Sequence, residues 1–200
     1  MDQKLVEEAR TLLDLCRTKG LKIAAAESCT GGLLAATLTE IAGSSDVFER
    51  GFVTYSNEAK QAMVGVSPVT LASHGAVSRQ TAEAMAKGAL THAPVHLTVS
   101  ITGIAGPGGA VPGKPVGLVH FAAASRTGRL IAHERNYGDI GRAQVRRASV
   151  LEALAMLGEL AATEACVAWP CDAASPVHAG AIAGACGAPG GAVGGLQRPH

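Results

Sequence analysis

The fold and a candidate site are both indicated by one stretch, Ala26-Glu27-Ser28-Cys29-Thr30-Gly31-Gly32. An apolar run over residues 21–26 leads into it, and a helical pattern over residues 33–41 follows it. Ser28 therefore lies where a strand ends and a helix begins, which is where open α/β sheets place their ligand sites. A helix start also offers unpaired backbone N–H groups and a partial positive charge to an anion. Ser28 or Thr30 would equally suit an ordinary helix N-cap, so capping and chemistry both stay open.

The composition fits one ordinary globular domain and argues against several functional classes. The 200 residues carry a net charge of +1 and only 3% aromatic residues, which disfavours a nucleic-acid partner or an anionic membrane surface. No apolar run reaches the roughly 18 residues of a membrane span. The five cysteines show no CxxC spacing, the seven histidines show no HExxH spacing, and no signal-peptide pattern is present. We therefore expect a cytoplasmic protein without a membrane or nucleic-acid partner and without a metal or cofactor.

Hydrophobic periodicity predicts helices and strands in alternation over most of the chain. Helices are expected at 4–18, 33–41, 57–64, 69–73, 79–90 and 141–162, and strands at 21–26, 48–56, 96–102, 116–124 and 130–137. Asn57 and Ser78 are the predicted N-caps of two of these helices. The short link 125–129 between the last two strands predicts an antiparallel hairpin. The expected fold is a single three-layer α/β/α domain over residues 1–163, with a mixed, mostly parallel sheet containing that hairpin.

The composition changes after about residue 163. Residues 164–200 are rich in glycine, alanine and proline, carry almost no charge and show no apolar period. Such a segment cannot build a packed core, so we predict a disordered tail. Cys166 and Cys171 are not interpreted as a metal pair, because no second pair accompanies them.

Two side chains near the second predicted strand are candidates for chemistry. Lys60 lies in the first turn of its helix, where the helix dipole disfavours a cation. A neutral lysine beside a serine is a known arrangement in which the lysine is the base and the serine is the nucleophile. It requires that burial or a nearby positive charge lowers the pKa of the lysine. The alternative for Lys60 is an exposed surface lysine. Tyr55 is either a core residue with a bonded hydroxyl or a wall of the site.

A glycine-rich loop, Gly103-Ile104-Ala105-Gly106-Pro107-Gly108-Gly109-Ala110, follows Thr102 at another strand end. Its backbone N–H groups suit a phosphate, and a long surface turn is the alternative. It is neither a P-loop nor a dinucleotide fingerprint, because no Gly-Lys-Ser/Thr ends it and its prolines disfavour a helix. Arg142 opens the last helix, where it is either a bidentate phosphate ligand or solvent-exposed. Arg146 lies one turn further on the same face.

Together these segments resemble the C-terminal domain of the competence-damage-inducible protein CinA, which also occurs alone as nicotinamide mononucleotide deamidase. The resemblance covers residues 4–162 and rests on six stretches in the family's order: 26–32, 55–60, 75–78 (Gly-Ala-Val-Ser), 102–109, 114–117 (Lys-Pro-Val-Gly) and Gly141-Arg142 with Val145-Arg146. It implies an amidohydrolase that converts nicotinamide mononucleotide and water to nicotinate mononucleotide and ammonia, without a metal.

The resemblance also implies a role for each matching residue. Ser28 would be the nucleophile and Lys60 its general base, with Tyr55 in the catalytic group. The residues expected to bind substrate are Thr30, Gly31, Gly32, Asn57, Thr102, Gly103, Gly106 and Arg142. Within this set, N–H groups of residues 30–32 would hold the oxyanion and Arg142 the ribose phosphate.

Two other functions stay open at this point. The same glycine loop and Arg142 would also serve a non-catalytic nucleotide-sensing module, in which Ser28 merely caps a helix. A different amidase, acting on an amide that is not a nucleotide, is the second alternative. The expected partner is a small-molecule nucleotide, and a homodimer is expected because 48% of the residues are hydrophobic.

Overall fold

The computed structural model describes residues 2–165. Its helices are α1 (Gln3–Lys19), α2 (Leu33–Thr39), α3 (Asn57–Val64), α4 (Pro68–His74), α5 (Arg79–His92) and α6 (Arg142–Thr163), with one 3-10 turn at Ser44–Asp46. Its strands are β1 (Ile23–Glu27), β2 (Phe48–Val53), β3 (Leu97–Gly103), β4 (Leu118–Ser125) and β5 (Leu130–Asn136). The predicted tail and its cysteines lie outside the described residues, apart from residues 164 and 165.

The strands form one open mixed sheet in the order β2-β1-β3-β4-β5. β1 pairs in parallel with both β2 and β3, whereas β4 is antiparallel to both β3 and β5. Four strands therefore share one direction and β4 runs against them, so the predicted mixed, mostly parallel sheet with its hairpin is confirmed. At the carboxyl end of β1, Glu27 pairs with Val53 of β2 and Ile101 of β3. The links that follow these three strands thus leave the sheet side by side.

Helices cover both faces of the sheet, as the three-layer prediction requires. α1, α2 and α6 pack on one face, around a core that includes Leu13, Leu38, Phe121 and Leu157. α3, α4 and α5 cover the other face, around a core that includes Ala24, Val64, Leu71 and Met85. Every residue of β1 is buried, which explains why this central strand reads as a continuous apolar run.

The helix ends follow local signals, with one correction. Ser78 caps α5 as predicted, because its Oγ accepts a hydrogen bond of 3.2 Å from the amide of Thr81. The predicted N-cap at Asn57 is wrong. Ser56, one residue earlier, has the extended backbone of an N-cap, and its Oγ accepts a hydrogen bond of 3.0 Å from the amide of Ala59. The result is a first turn of α3 that places residue 60 toward the sheet.

Gly88 brings α5 against α3 at a distance that no side chain allows. A Cβ at residue 88 would lie 1.7 Å from the carbonyl oxygen of Val64. Gly88→Ala is expected to lower the free energy of unfolding by about 1–3 kcal/mol, because the two helices must move apart. Gly158→Ala in α6 is the matched control. Its Cβ would meet no atom within 4 Å, so it should raise stability by up to about 1 kcal/mol. Urea unfolding measures both, and a neutral Gly88→Ala would contradict the close packing.

Candidate active site

The turn after β1 presents Ser28 at the carboxyl edge of the sheet. The amide of Ser28 donates to the carbonyl of Ile101 at 2.9 Å, which extends the β1–β3 pairing by one residue. The carbonyl of Ser28 accepts from the amide of Gly31 at 3.0 Å. Both backbone groups of Ser28 are therefore bonded, and the residue is held in place at the start of the turn.

The carboxylate of Glu27 caps α2, so the alternative in which Ser28 or Thr30 caps this helix is wrong. Its oxygens accept hydrogen bonds of 3.1, 3.0 and 2.8 Å from the amides of Gly32, Leu34 and Ala35. Glu27 is 1% exposed, and the three bonds together with the positive end of the helix dipole stabilise its charge. No sequence signal indicates this role, because Glu27 follows the predicted strand 21–26 and lies five residues before the first amide that it accepts from.

Lys60 reaches Ser28 from α3, across the edge of the sheet. Its Nζ donates hydrogen bonds of 2.9 Å to Ser28 Oγ and 2.9 Å to the carbonyl of Thr54. Lys60 is 1% exposed, so the alternative of an exposed surface lysine is wrong. Burial lowers the pKa of Lys60 from its ordinary 10.5, because the ammonium loses its hydration. The lowered pKa favours the neutral amine, which is the form that accepts a hydroxyl proton at this distance.

Cys29, the neighbour of Ser28, lacks these features of a nucleophile. Burial raises the pKa of the Cys29 thiol to about 12. The thiolate is the reactive form of cysteine, so this side chain is inert near neutral pH. Of the two adjacent candidate nucleophiles, Ser28 is the one whose side chain is bonded to a base.

Arg142 and Tyr55 form one wall of the site. Arg142 begins α6, and its guanidinium donates to Tyr55 Oη at 2.8 Å and to the carbonyl of Gly106 at 3.1 Å. Tyr55 is 59% exposed, so the alternative of a core tyrosine is wrong. Arg142 therefore connects the end of the β2 segment to the glycine loop, with its charge at the edge of the site.

The glycine loop after β3 forms the facing wall. Thr102 Oγ1 donates to the carbonyl of Ala76 at 2.7 Å, which joins the loop's first residues to the segment before α5. Within residues 2–165, no acceptor is bonded to the amides of Ala105, Gly106, Gly108 and Gly109. Unpaired amides that converge in a concave loop favour an anion such as a phosphate.

These walls enclose a pocket of about 270 Å³, which we call the Ser28 pocket. Eight of the predicted site residues line it: Ser28, Tyr55, Asn57, Lys60, Thr102, Gly103, Gly106 and Arg142. Its described lining contains the guanidinium of Arg142 and no carboxylate. The pocket therefore suits a ligand that carries negative charge.

Thr30, Gly31 and Gly32 are predicted site residues that do not line the Ser28 pocket. The amides of Gly31 and Gly32 already donate within the protein, to Ser28 and Glu27. Thr30 is fully buried, and its carbonyl accepts bonds of 3.2 and 2.6 Å from the guanidinium of Arg146. These three residues thus build the turn.

An oxyanion donor is available one residue earlier than predicted. Cys29 lines the Ser28 pocket, and its backbone amide donates to no carbonyl or carboxylate of residues 2–165. The amide of the residue directly after a nucleophile is a common oxyanion-hole donor. No sequence signal distinguishes this amide from those of Gly31 and Gly32, because these two become bonded to Ser28 and Glu27 only in the folded turn.

Within residues 2–165, no three His, Cys, Asp or Glu side chains come together as metal ligands. No helix in this part of the chain is long and apolar enough to cross a membrane.

Comparison with known proteins identifies the family. The model of the CinA C-terminal domain matches residues 5–161. The chain belongs to the CinA C-terminal domain family. The resemblance seen in the sequence is thereby confirmed, and the Ser28 pocket lies entirely within the matched residues.

Three members of the CinA family show how the chain relates to longer and shorter relatives. It is 50% identical over 126 residues to a putative competence-damage inducible protein of Caldicellulosiruptor bescii, covering 63% of this chain but 30% of that protein. It is 48% identical over 157 residues to nicotinamide-nucleotide amidohydrolase PncC of Escherichia coli K12, covering 78% of this chain and 94% of that protein. The crystal structure of the competence/damage inducible protein CihA from Agrobacterium tumefaciens has 53% identity and a TM-score of 0.79, with 80% and 97% coverage.

The cap formed by Glu27 gives a direct test of how the turn is held. Glu27→Gln leaves one acceptor oxygen and turns an NH₂ group toward backbone amides. The free energy of unfolding should fall by about 1–3 kcal/mol, the usual cost of unpaired buried polar groups. Glu8→Gln, at an exposed position of α1, is the control and should change stability by less than about 0.5 kcal/mol. If urea unfolding gave the same small change for both variants, Glu27 would not be the cap of α2.

Proposed function

We propose that this chain is a nicotinamide mononucleotide amidohydrolase, with Ser28 as nucleophile and Lys60 as general base. The substrate class is supported by the 48% identity to PncC, of which the chain covers 94%. The observation that carries the residue roles is the 2.9 Å contact between Lys60 Nζ and Ser28 Oγ. A serine and a lysine of lowered pKa form an established type of nucleophile–base pair.

In the proposed first half-reaction, Ser28 Oγ attacks the carboxamide carbon of the substrate. Neutral Lys60 accepts the hydroxyl proton as the C–O bond forms. The amide of Cys29 stabilises the negative charge on the carbonyl oxygen, a contribution typically worth about 3 kcal/mol per donor. Lys60 then returns its proton to the leaving nitrogen, the C–N bond breaks, and ammonia departs from an ester on Ser28.

In the proposed second half-reaction, water hydrolyses this ester. Lys60, neutral again, accepts a proton from the attacking water and delivers it to Ser28 Oγ as the ester bond breaks. The product carries a carboxylate where the substrate carried a carboxamide. The carbonyl of Thr54 bonds Lys60 Nζ at 2.9 Å and so holds the amine near the reacting atoms in both halves.

The walls of the Ser28 pocket suit the two ends of this substrate. Arg142 and the unpaired amides of the glycine loop are the proposed ligands of the ribose phosphate. The exposed ring of Tyr55, oriented by its hydrogen bond to Arg142, offers a π-face to the cationic pyridinium ring. Asn57 lines the same pocket as a further hydrogen-bonding group.

The domain bounds, the oligomeric state and the cellular location rest on the sequence predictions. We propose that residues 1–163 carry the activity, since the family match spans residues 5–161. The homodimer and the cytoplasmic location stay predictions. Cys16 and Cys29 are free buried thiols, as expected for a protein of a reducing compartment.

Ammonia release from nicotinamide mononucleotide tests the roles of Ser28 and Lys60. Ser28→Ala should reduce turnover to near the background rate. Lys60→Met should reduce kcat by about 10²–10⁴-fold, the usual contribution of a general base. A chelator should leave the wild-type rate unchanged. Ser45→Ala and Lys22→Met, at exposed positions, are the matched controls and should retain wild-type turnover.

Each contrary result has a definite meaning. Near-normal turnover by Ser28→Ala would contradict covalent catalysis at this residue. Binding of the nucleotide by the wild type without ammonia release would contradict the amidohydrolase and favour the nucleotide-sensing module.

Arg142 tests the orientation of the substrate. Arg142→Gln should raise KM for nicotinamide mononucleotide by about tenfold or more, because a charge-assisted hydrogen bond is worth about 1.5–3 kcal/mol. Nicotinamide riboside lacks the phosphate, so its weaker hydrolysis should change little in the same variant. Steady-state kinetics with both substrates makes the comparison. An equal loss on both would show that Arg142 acts by positioning Tyr55 instead of by binding phosphate.

A further inference from the structure

Arg146 contacts the turn that follows Ser28, although it does not line the Ser28 pocket. It lies on α6, one helical turn after Arg142, and is half-buried. Its Nε and Nη2 donate to the carbonyl of Thr30 at 3.2 and 2.6 Å. Within residues 2–165 its guanidinium forms no ion pair with a carboxylate. The positive charge of Arg146 is therefore directed at one backbone carbonyl of the turn.

The peptide group between Thr30 and Gly31 is held at both ends. Its carbonyl accepts from Arg146, and its N–H donates to the carbonyl of Ser28 at 3.0 Å. The peptide is trans, so its C=O and N–H point in opposite directions. The amide of Leu33 donates to the same Thr30 oxygen at 3.2 Å, but the contact of Nη2 is shorter and charge-assisted. Arg146 thus helps to set the orientation of this peptide group.

The peptide group between Ser28 and Cys29 continues the chain of hydrogen bonds. Its carbonyl accepts the bond from Gly31, and this peptide is also trans. The N–H of Cys29 must therefore point away from Gly31. Cys29 lines the Ser28 pocket, and its amide is the proposed oxyanion donor. Two peptide groups thus link the guanidinium of Arg146 to this donor.

The direction of these hydrogen bonds makes the charge of Arg146 favourable for an oxyanion. A cation at a carbonyl oxygen draws electron density toward that oxygen, which makes the N–H of the same peptide a stronger donor. Hydrogen bonds in a chain polarise one another in this way. The Gly31 N–H should therefore bond more strongly to the Ser28 carbonyl, and the Cys29 N–H should in turn become a stronger donor. The effect is greatest when negative charge develops at the far end of the chain.

We propose that Arg146 is a positioning residue that orients and polarises the Cys29 amide as the oxyanion donor. This inference rests on the proposed function, in which that amide stabilises the negative charge formed by attack of Ser28. Arg146 acts through the backbone and does not touch the substrate, whereas Arg142 lines the pocket and is a proposed ligand of the phosphate. Loss of Arg146 should therefore lower kcat, whereas loss of Arg142 should raise KM.

The amide signals of Gly31 and Cys29 in NMR spectra test the chain of hydrogen bonds without reference to activity. In Arg146→Met both amide protons should move upfield, because each N–H becomes a weaker donor. Arg146→Lys should keep most of the wild-type shift, since one carbonyl oxygen is the acceptor and a lysine retains the charge. Arg147→Met is the matched control on the same helix. It removes the 2.7 Å ion pair with Asp2 and should leave both signals in place.

Steady-state kinetics with nicotinamide mononucleotide tests the use of Arg146 in catalysis. Arg146→Met should lower kcat by about tenfold or more and change KM less than about twofold, because loss of a whole oxyanion donor costs about 10²–10³-fold in kcat. Arg146→Lys should recover most of the rate, and Arg147→Met should turn over like the wild type. Thermal unfolding confirms that each variant is folded. If Arg146→Met is not, Arg146→Gln removes the charge with a smaller change and serves the same comparison.

Three results would overturn the proposal. Unchanged amide signals of Gly31 and Cys29 in the variants without the charge would show that Arg146 does not act on these peptide groups. An unchanged kcat would show that its contact with the turn does not serve the reaction. A raised KM with a normal kcat would make Arg146 a substrate ligand. If the wild type released no ammonia, the proposed function would fail, whereas the NMR comparison would still decide whether Arg146 polarises the turn.

Discussion

The buried amine of Lys60 is the constraint on which the candidate site depends. Its removal from water is unfavourable for the charged form, and among residues 2–165 its hydrogen bonds to Ser28 Oγ and the Thr54 carbonyl compensate in part. Between its lowered pKa and 10.5, Lys60 binds fewer protons in the folded than in the unfolded chain. Its contribution to stability therefore rises with pH across that window. At neutral pH burial of Lys60 lowers the stability of the fold, and the same burial increases the fraction of the amine that is neutral and able to accept a proton.

The carboxylate of Glu27 is a second buried ionisable group next to the site, and it differs from Lys60 because hydrogen bonds stabilise its charge. Glu27 accepts three backbone hydrogen bonds at the start of α2, so its carboxylate is fully compensated. This bonding occupies the amides of Gly32, Leu34 and Ala35 and does not engage the amide of Cys29, which has no carbonyl or carboxylate acceptor among residues 2–165. Glu27 thus fixes the turn that follows Ser28. Glu27 supplies rigidity, whereas Lys60 is the proposed source of reactivity.

The sequence predicted the architecture well because local and tertiary signals agree. The buried β1, the short hairpin link and the capped α5 each have a local cause, and each is confirmed. Ser28 and Lys60 were found because strand ends meet at one edge of the sheet, and the family resemblance supplied the substrate. The wrong predictions concern hydrogen bonds that form only when the chain folds. No spacing reveals that Glu27 takes the helix amides or that Ser56 caps α3 in place of its neighbour.

The most direct test of this account is the titration of the Lys60 amine by NMR in the folded protein. Selective isotope labelling of lysine, with Lys60→Arg to assign the signal, gives the midpoint without reference to activity. The account predicts a midpoint well below 10.5, because burial disfavours the ammonium. The same lysine in the denatured chain provides the reference. A midpoint at or above that of the denatured chain would show that Lys60 stays protonated, and the proposed general base would be wrong.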